Sequence, residues 1–457
     1  MRSYAIAVYA TLVAAALSGG FHHYDEHFHV LEYLALKVGR TGPAQLPWEY
    51  GAQVRSWWLP GILYPFLRLE MALGLGGPLA WAATFRLLGG LLNLGVTYLL
   101  LTRWRGERVA APLFSFLLCG LWFLPYVHVR TSIENWSGAL FFLGLVLSRG
   151  GGGFLVGFLW GVAFAMRLQV APMIAGAVAW WFWSEGRVAW PRVGRVLAGA
   201  VLAMGCGLLV DRWGYGVWTV PWANYLVDQF RHQRASTWGT SPPWYYFTES
   251  LLKAAPPISI FLVGGVILSW IWFPTSLFTW VTIPFVVAHT LEPHKELRFL
   301  FPMLYAVPFQ VALVVERMGW RAKGVWWCLL WGLNLILMAA AVLRPAEGRV
   351  SLYRYLEKQK ISSIRWVEDD PYELFRMPLN FYRPPDLQSA PVEYRAIPER
   401  MGKGERLNLV TSRFNLPIPL QSVCERRFSI LPMELSRYNV LNWMDRTRIW
   451  TVYDCQK

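Results

Sequence analysis

Between Phe21 and His29 the chain reads FHHYDEHFH, four histidines crowded around two adjacent carboxylates, Asp25 and Glu26. Asp25 and His29, and likewise His22 and Glu26, stand four apart, so a helix here brings each pair onto one face. Neighbouring carboxylates repel, which raises the pKa of one of them and suits it to general-base work near neutral pH. The same residues are also a plausible divalent-metal set, although no fixed signature such as HExxH is present. A second constellation, HKELRFLFP from His294 to Pro302, puts His294, Lys295 and Arg298 beside an apolar run. Three such donors at a membrane edge suit a phosphate. The competing readings are a solvated juxtamembrane helix for the first stretch and snorkelling cations for the second.

The elements that must position these residues are apolar. The chain has 457 residues, 55% hydrophobic and only 16% charged, too apolar for a soluble protein of this size. Its 27 tryptophans match the aromatic belts of a membrane protein. The net charge of +15 is dispersed over short loops and the tail instead of forming one groove-sized stripe, which argues against nucleic acid and for anionic lipid or a phosphate-bearing substrate.

A first span is expected over residues 4–19, retained and not cleaved as a signal peptide, because the acidic cluster follows it directly. Further spans are expected near 78–101, 109–127, 134–148, 153–166, 168–184, 196–210, 255–271, 276–290, 299–315 and 325–342, about eleven in all. Residues 58–75 are read as a juxtamembrane or re-entrant helix. The N-terminus is then inside, with the basic groups Arg103, Arg105, Arg108, then Arg187, Arg192, Arg195, then Arg317, Arg321, Lys323 cytoplasmic. The loop 21–77, the turn His128–Trp136 and the turn His289–Phe299 face outward, as does the tail from Arg344. Arg130 and Glu134 in the short turn, and Arg167 between two short spans, add charge at the same level, where ionisable groups line a site or pair with one another.

The expected division is a membrane module over 1–343, with 21–77 its first outer loop, and a small soluble α+β domain over 344–457. Cys119, Cys206 and Cys328 fall in apolar spans and read as small core residues. Cys424 and Cys455 lie in the polar tail, able to form a disulfide if that tail is extracytoplasmic. GGGG at 150–153 reads as a tight cytoplasmic turn, lacking the Lys and Ser/Thr of a phosphate-binding loop.

Several stretches, in order from residue 22 to 302, together resemble glycosyltransferase family 22, the lipid-phosphate-mannose-dependent mannosyltransferases of the GT-C superfamily. HHYDEHF resembles the family's acidic motif after the first span, with Tyr24 in place of its proline. LPWEYGAQVRSWWLP carries Trp48, Glu49, Arg55 and Ser56 of a TWEW-like motif and an RS pair, and RTSIEN carries Arg130 and Glu134. DRWGYGVW from Asp211, WGTSPPWYYF from Trp238 and, most specifically, HKELRFLFP complete the series.

The resemblance implies an all-α polytopic GT-C-like fold and transfer of mannose or a similar hexose, with inversion, on the extracytoplasmic face. The donor would be a polyprenyl-phosphate-linked sugar, and the acceptor a glycan or glycolipid. On that reading Asp25 takes the acceptor proton with Glu26 orienting the site. Lys295, Arg298 and His294 stabilise the leaving phosphate without metal or other cofactor, and Glu296 orients the cations. Arg130, Glu134, Trp48, Glu49 and Arg55 support the site. A bacterial inner membrane is expected, or an endoplasmic reticulum membrane with a lumenal site. The rival readings are a glycolipid flippase and a metal-dependent GT-C enzyme of another family.

Overall fold

A computed structural model describes residues 2–104, 111–232, 234–320, 324–402 and 404–456. Arg105, Arg108, Arg321 and Lys323 of the expected basic loops lie outside these residues. A helix stands at each expected span. Among the described residues, however, only Pro78–Arg103, Trp190–Tyr215 and Val325–Leu343 are individually long and apolar enough to cross a membrane. Two further pairs qualify only jointly, Ile258–Trp272 with Leu277–Leu291, bent by 114°, and Leu297–Met303 with Ala306–Arg317, bent by 71°. The helix lengths therefore do not establish the expected count of eleven. The physical reason is that proline, glycine and charge break several apolar runs, as between Ala111–Gly120 and Leu124–His128.

The chain divides into two compact units. The first comprises residues 1–18, 48–69 and 83–344. Its helices approach closely where small residues recur every fourth position. A Cβ on Gly157 would lie 1.8 Å from the Val196 carbonyl oxygen, one on Gly161 2.7 Å from the Ala203 Cβ, and one on Gly199 2.0 Å from the Phe154 carbonyl oxygen. This is small-residue helix packing, in which dispersion between nearly touching backbones substitutes for a hydrophobic drive. Gly157→Ala is expected to destabilise the unit by about 1–3 kcal/mol through overpacking. A melting temperature equal to wild type in a detergent-solubilised sample would contradict that. Cys328 is exposed, contrary to the core role expected from its apolar surroundings, and Cys119 is buried as expected.

The second unit comprises 19–47, 70–82 and 345–457. The first part of the outer loop thus packs with the tail in one body, whose long-range contacts the linear chain does not display. The tail carries a five-stranded mixed sheet. Ser363–Val367 pairs in parallel with both Gln388–Pro391 and Leu407–Thr411, and Thr451–Cys455 runs antiparallel between Leu407–Thr411 and Cys424–Ser429. Thr451–Cys455 is buried along its whole length, as a strand inside a sheet covered on both faces must be. Its Tyr453 and Cys455 share one core cluster with Ile397, Leu409, Leu416 and Leu420.

Cys424 and Cys455 sit opposite one another in the ladder and are bonded. The loop so closed spans 31 residues, and chain entropy places its worth at about 3–4 kcal/mol. Cys424→Ser is expected to lower the stability of the tail by that order, read as earlier proteolysis beyond residue 345, with no change in wild type's resistance as the opposing result.

Asp454, on the same strand, accepts two hydrogen bonds from Arg406, which hold its carboxyl below the usual carboxylate range. A depressed carboxylate stabilises the fold above its unfolded pKa of about 3.9 and loses that contribution as pH falls through the folded value. Asp454→Asn is therefore expected to flatten the loss of tail stability on acidification from about pH 5 downward. An unchanged pH profile of unfolding would dismiss the pair.

Candidate functional site

The acidic stretch builds its own geometry. His23 caps a short helical turn, accepting the Asp25 N–H at its Nδ1. Its ring lies 3.5 Å from Asp25 Oδ1, and His29 Nδ1 lies 3.8 Å from Asp25 Oδ2, so the expected four-residue spacing does place these groups together. The Asp25 side chain keeps 15% of its surface exposed, whereas Glu26 is 2% exposed and takes the His22 N–H at Oε1. The pair is thus divided in character. Asp25 borders solvent between two imidazoles, and Glu26 is built into the turn. No three His, Cys, Asp or Glu side chains are grouped to hold a metal ion among the described residues.

In the first unit, the turn at Ser132 starts the helix Ile133–Leu147, with the Ser132 hydroxyl accepting the Asn135 N–H. That helix carries Glu134 in its first turn. Gly138 on it lets Pro302 approach so closely that a Cβ would lie 2.6 Å from the proline Cα. The close approach delivers the 3₁₀ segment Leu297–Met303, and with it Arg298, to Glu134. Arg298 Nη1 donates to Glu134 Oε1 at 2.7 Å and Nε donates to Glu296 Oε2 at 2.5 Å. Arg167, at the break after the helix Gly153–Met166, reaches the same Glu134 oxygen at 3.3 Å. Both guanidinium groups also lie over the Phe299 ring, 4.9 and 5.1 Å from its centroid. His294 pairs with Glu296 at 2.9 Å.

Lys295 is buried and donates to the carbonyl oxygens of Ser241 and Glu292. Its hydrogen bonds run to main-chain carbonyls and not to a carboxylate. Arg167 and Arg298 balance Glu134 and Glu296 in charge, and Lys295 is the cation hydrogen-bonded to carbonyls alone. Tyr246 is buried beside it, edge-on to His289, while Trp244 of the same aromatic run is exposed.

The remaining predicted site residues divide between two scaffolds. Arg130 is fully buried and donates to the carbonyl and hydroxyl oxygens of Ser18 and to the Tyr126 carbonyl. Ser18 ends the first helix, where a cation complements the free carbonyls, and Arg86 donates to Ala15 in the same last turn. Arg130 thus fastens the point from which the acidic stretch departs. Glu49 and Arg55 lie 3.5 Å apart, and Trp48 next to them is exposed. The adjoining Ser56 hydroxyl and Trp57 N–H both donate to Asp211, and the Tyr215 hydroxyl donates to the Arg55 carbonyl. Two motifs far apart in sequence are therefore one interlocked support. Sequence reasoning assigned Arg167 no partner and Asp211 no role, because neither has a local companion to signal it.

The profile of the Alg9-like mannosyltransferase family matches residues 3–365. The chain belongs to the Alg9-like mannosyltransferase family. This member is 27% identical over 310 residues to Mannosyltransferase APTG1 of Arabidopsis thaliana, covering 64% of the chain and 54% of that relative. It is 28% identical over 115 residues to a probable Dol-P-Man:Man(7)GlcNAc(2)-PP-Dol alpha-1,6-mannosyltransferase of Schizosaccharomyces pombe, covering 25% of the chain and 20% of that protein. The chain spans about half the length of the Arabidopsis protein. Its fold is similar to that of ArnT from Cupriavidus metallidurans, solved bound to undecaprenyl phosphate, with a TM-score of 0.56 at 12% identity over 99% of this chain and 97% of that one. The family member accordingly has a mostly helical fold like that of ArnT, with apolar helices long enough to cross a membrane and the small C-terminal sheet domain expected of the tail.

Proposed function

We propose that this protein transfers mannose or a similar hexose from a polyprenyl-phosphate donor to a glycan or glycolipid acceptor, with inversion at the anomeric carbon. The reading rests on Asp25, the one carboxylate of the acidic pair left open to solvent, in a chain of the Alg9-like mannosyltransferase family. Supporting a lipid-linked donor, the Schizosaccharomyces relative is named for Dol-P-Man and the ArnT structure holds undecaprenyl phosphate.

In this mechanism the acceptor hydroxyl oxygen attacks the anomeric carbon while Asp25 takes its proton. The bond from that carbon to the phosphate oxygen breaks, and its electron pair stays on the departing lipid phosphate. Lys295, hydrogen-bonded to main-chain carbonyls and to no carboxylate, stabilises that charge. Loss of such a preorganised donor costs about 10²- to 10³-fold in rate. Arg298, already committed to Glu134 and Glu296, contributes mainly by fixing the loop that presents Lys295, with His294 acting on the same loop through Glu296. We assign Glu26 to holding the turn under Asp25. The membrane module is assigned to 1–343, apart from residues 19–47 and 70–82 that pack with the tail, and the extracytoplasmic domain to 344–457, with the disulfide suited to an oxidising compartment. A bacterial inner membrane with a periplasmic site is proposed, and the endoplasmic reticulum with a lumenal site is its alternative.

The test is transfer of radiolabelled sugar from polyprenyl-phosphate-mannose into membrane glycans by purified, reconstituted protein, with and without chelator. Transfer that survives chelation is the expected result. No transfer to any of a range of acceptors by folded protein would overturn the assignment, and loss of transfer on chelation would overturn its metal-free mechanism.

A further inference from the structure

The acidic stretch does not continue as a regular helix. From His27 to Leu31 it widens into a π-turn, closed by the Glu32 N–H donating to the His27 carbonyl, before the helix Glu32–Lys37 begins. Widening has a consequence for side chains. Residues five apart diverge on an α-helix but come together across a π-turn, where the backbone bond itself spans five residues. His27 Nε2 and Glu32 Oε1 accordingly lie 2.8 Å apart, with both side chains shut off from solvent.

The same Glu32 oxygen accepts the N–H of Phe381, also at 2.8 Å. The ring of the next residue, Tyr382, stacks on His27 with centroids 5.5 Å apart and planes within 20°. Tyr382 is backed by Tyr353, and Tyr353 donates its hydroxyl to Pro371 and stacks on Tyr372. Around this centre Tyr24 meets Phe375 edge-on, Asn380 donates to Thr41 and Gln45, and Arg40 donates to the Arg383 carbonyl. Every tail residue in this set lies after residue 365, where the family match ends, except Tyr353. The acidic motif is therefore bracketed, from Tyr24 to Gln45, by a turn of the tail that family membership does not cover.

We infer that the tail turn Asn380–Tyr382, acting through Glu32 and His27, is the positioning device that sets the π-turn and thereby aims Asp25. The inference rests on the reading of Asp25 as the general base. Asp25 is two residues before His27 in a continuous turn, so a shift of the His27 backbone carries the base with it. Displacement of a reacting group by about 1 Å costs on the order of 10²-fold in rate. Phe381 contributes its main-chain N–H, which only the tail's own fold can deliver, and Tyr382 contributes a flat ring face. Glu32, His27 and Tyr382 are positioning residues and touch no reacting atom.

The test compares full-length wild type, Tyr382→Leu and Tyr382→Phe, reading hydrogen exchange over residues 22–37 together with kcat and KM for the lipid donor. Tyr382→Leu is expected to speed exchange of the 27–32 amides by about tenfold or more and to lower kcat on the order of 10²-fold, with KM within about threefold. Exchange in Trp190–Tyr215 stays unchanged. Tyr382→Phe, which keeps the ring, returns both quantities to near wild type. If Tyr382→Leu does not fold, Glu32→Gln serves as the second variant with the same expected signature. Unaltered exchange at 27–32 overturns the inference, as does a loss carried in KM instead of kcat. Should wild type transfer sugar from no donor while the exchange shift is present, the proposed reaction fails and the link between tail and acidic turn stands.

Discussion

Asp25→Asn is expected to lower sugar transfer by on the order of 10²- to 10⁴-fold, the range that a lost general base costs. The fold is not expected to suffer. Asparagine has the shape of aspartate, and its carbonyl keeps an acceptor beside His23 and His29, 3.5 and 3.8 Å from the native carboxylate. Its side chain, however, takes no proton from an attacking hydroxyl near neutral pH. Donor KM should remain within about threefold, because a contact made only as the proton moves belongs to the transition state and not to binding. Glu26→Gln separates the two carboxylates. Glu26 is buried and accepts the His22 N–H, so its replacement should act more on the melting temperature than on kcat. Initial rates and thermal melts of the two variants decide the matter. Turnover by Asp25→Asn within about threefold of wild type would remove Asp25 from the mechanism.

Glu134→Ala is expected to destabilise the protein by about 3–5 kcal/mol, the cost of breaking a buried charge pair from one side. Two guanidinium groups converge on this carboxylate, Arg298 at 2.7 Å and Arg167 at 3.3 Å. Relative exposures are 2% for Glu134, 6% for Arg167 and 7% for Arg298, so neither cation can recover its hydration when the glutamate is lost. Arg298 retains Glu296, but Arg167 is left with the Phe299 face. Replacing Arg167 by Met in the same chain removes the stranded charge, and the double variant should be more stable than Glu134→Ala alone. Denaturant or thermal unfolding of the four members of this cycle in detergent measures the coupling. Additive effects within about 0.5 kcal/mol would mean that the pair is not energetically joined. The predicted loss is one of scaffold: the 3₁₀ segment Leu297–Met303 carrying Arg298, and Lys295 just ahead of it, would no longer be held to the helix Ile133–Leu147.

What the sequence by itself determined are the features that reside in a short stretch of chain. A run such as Gly153–Met166 is apolar residue by residue, so its helix is readable wherever it packs. The spacing of Asp25 and His29 brings two groups together on any helical turn, and the structure keeps them within 3.8 Å. The ordered motifs ending in HKELRFLFP led to the family directly, since they are strings and not contacts. Cysteine was nearly as legible: only Cys424 and Cys455 lie in the polar tail, and they are bonded.

The tertiary structure decided which charges meet. Glu134 and Arg298 are 164 residues apart, and many arginines were available to that carboxylate. The choice fell to the close approach of Gly138 and Pro302, a property of backbone packing that no local pattern carries. Arg130 was legible as a site charge but not as the clamp on Ser18, because its partner is a main-chain carbonyl that every residue possesses. The π-turn at His27 was invisible for a related reason. Sequence favours the ordinary helix there, and the groups packed on the wider turn, Phe381 against Glu32 and Tyr382 against His27, come from the distant tail. Apolar burial is summed residue by residue and so survives in the linear order. Pairing a buried charge or closing an unusual turn depends on one partner at one distance, and only the folded chain supplies it.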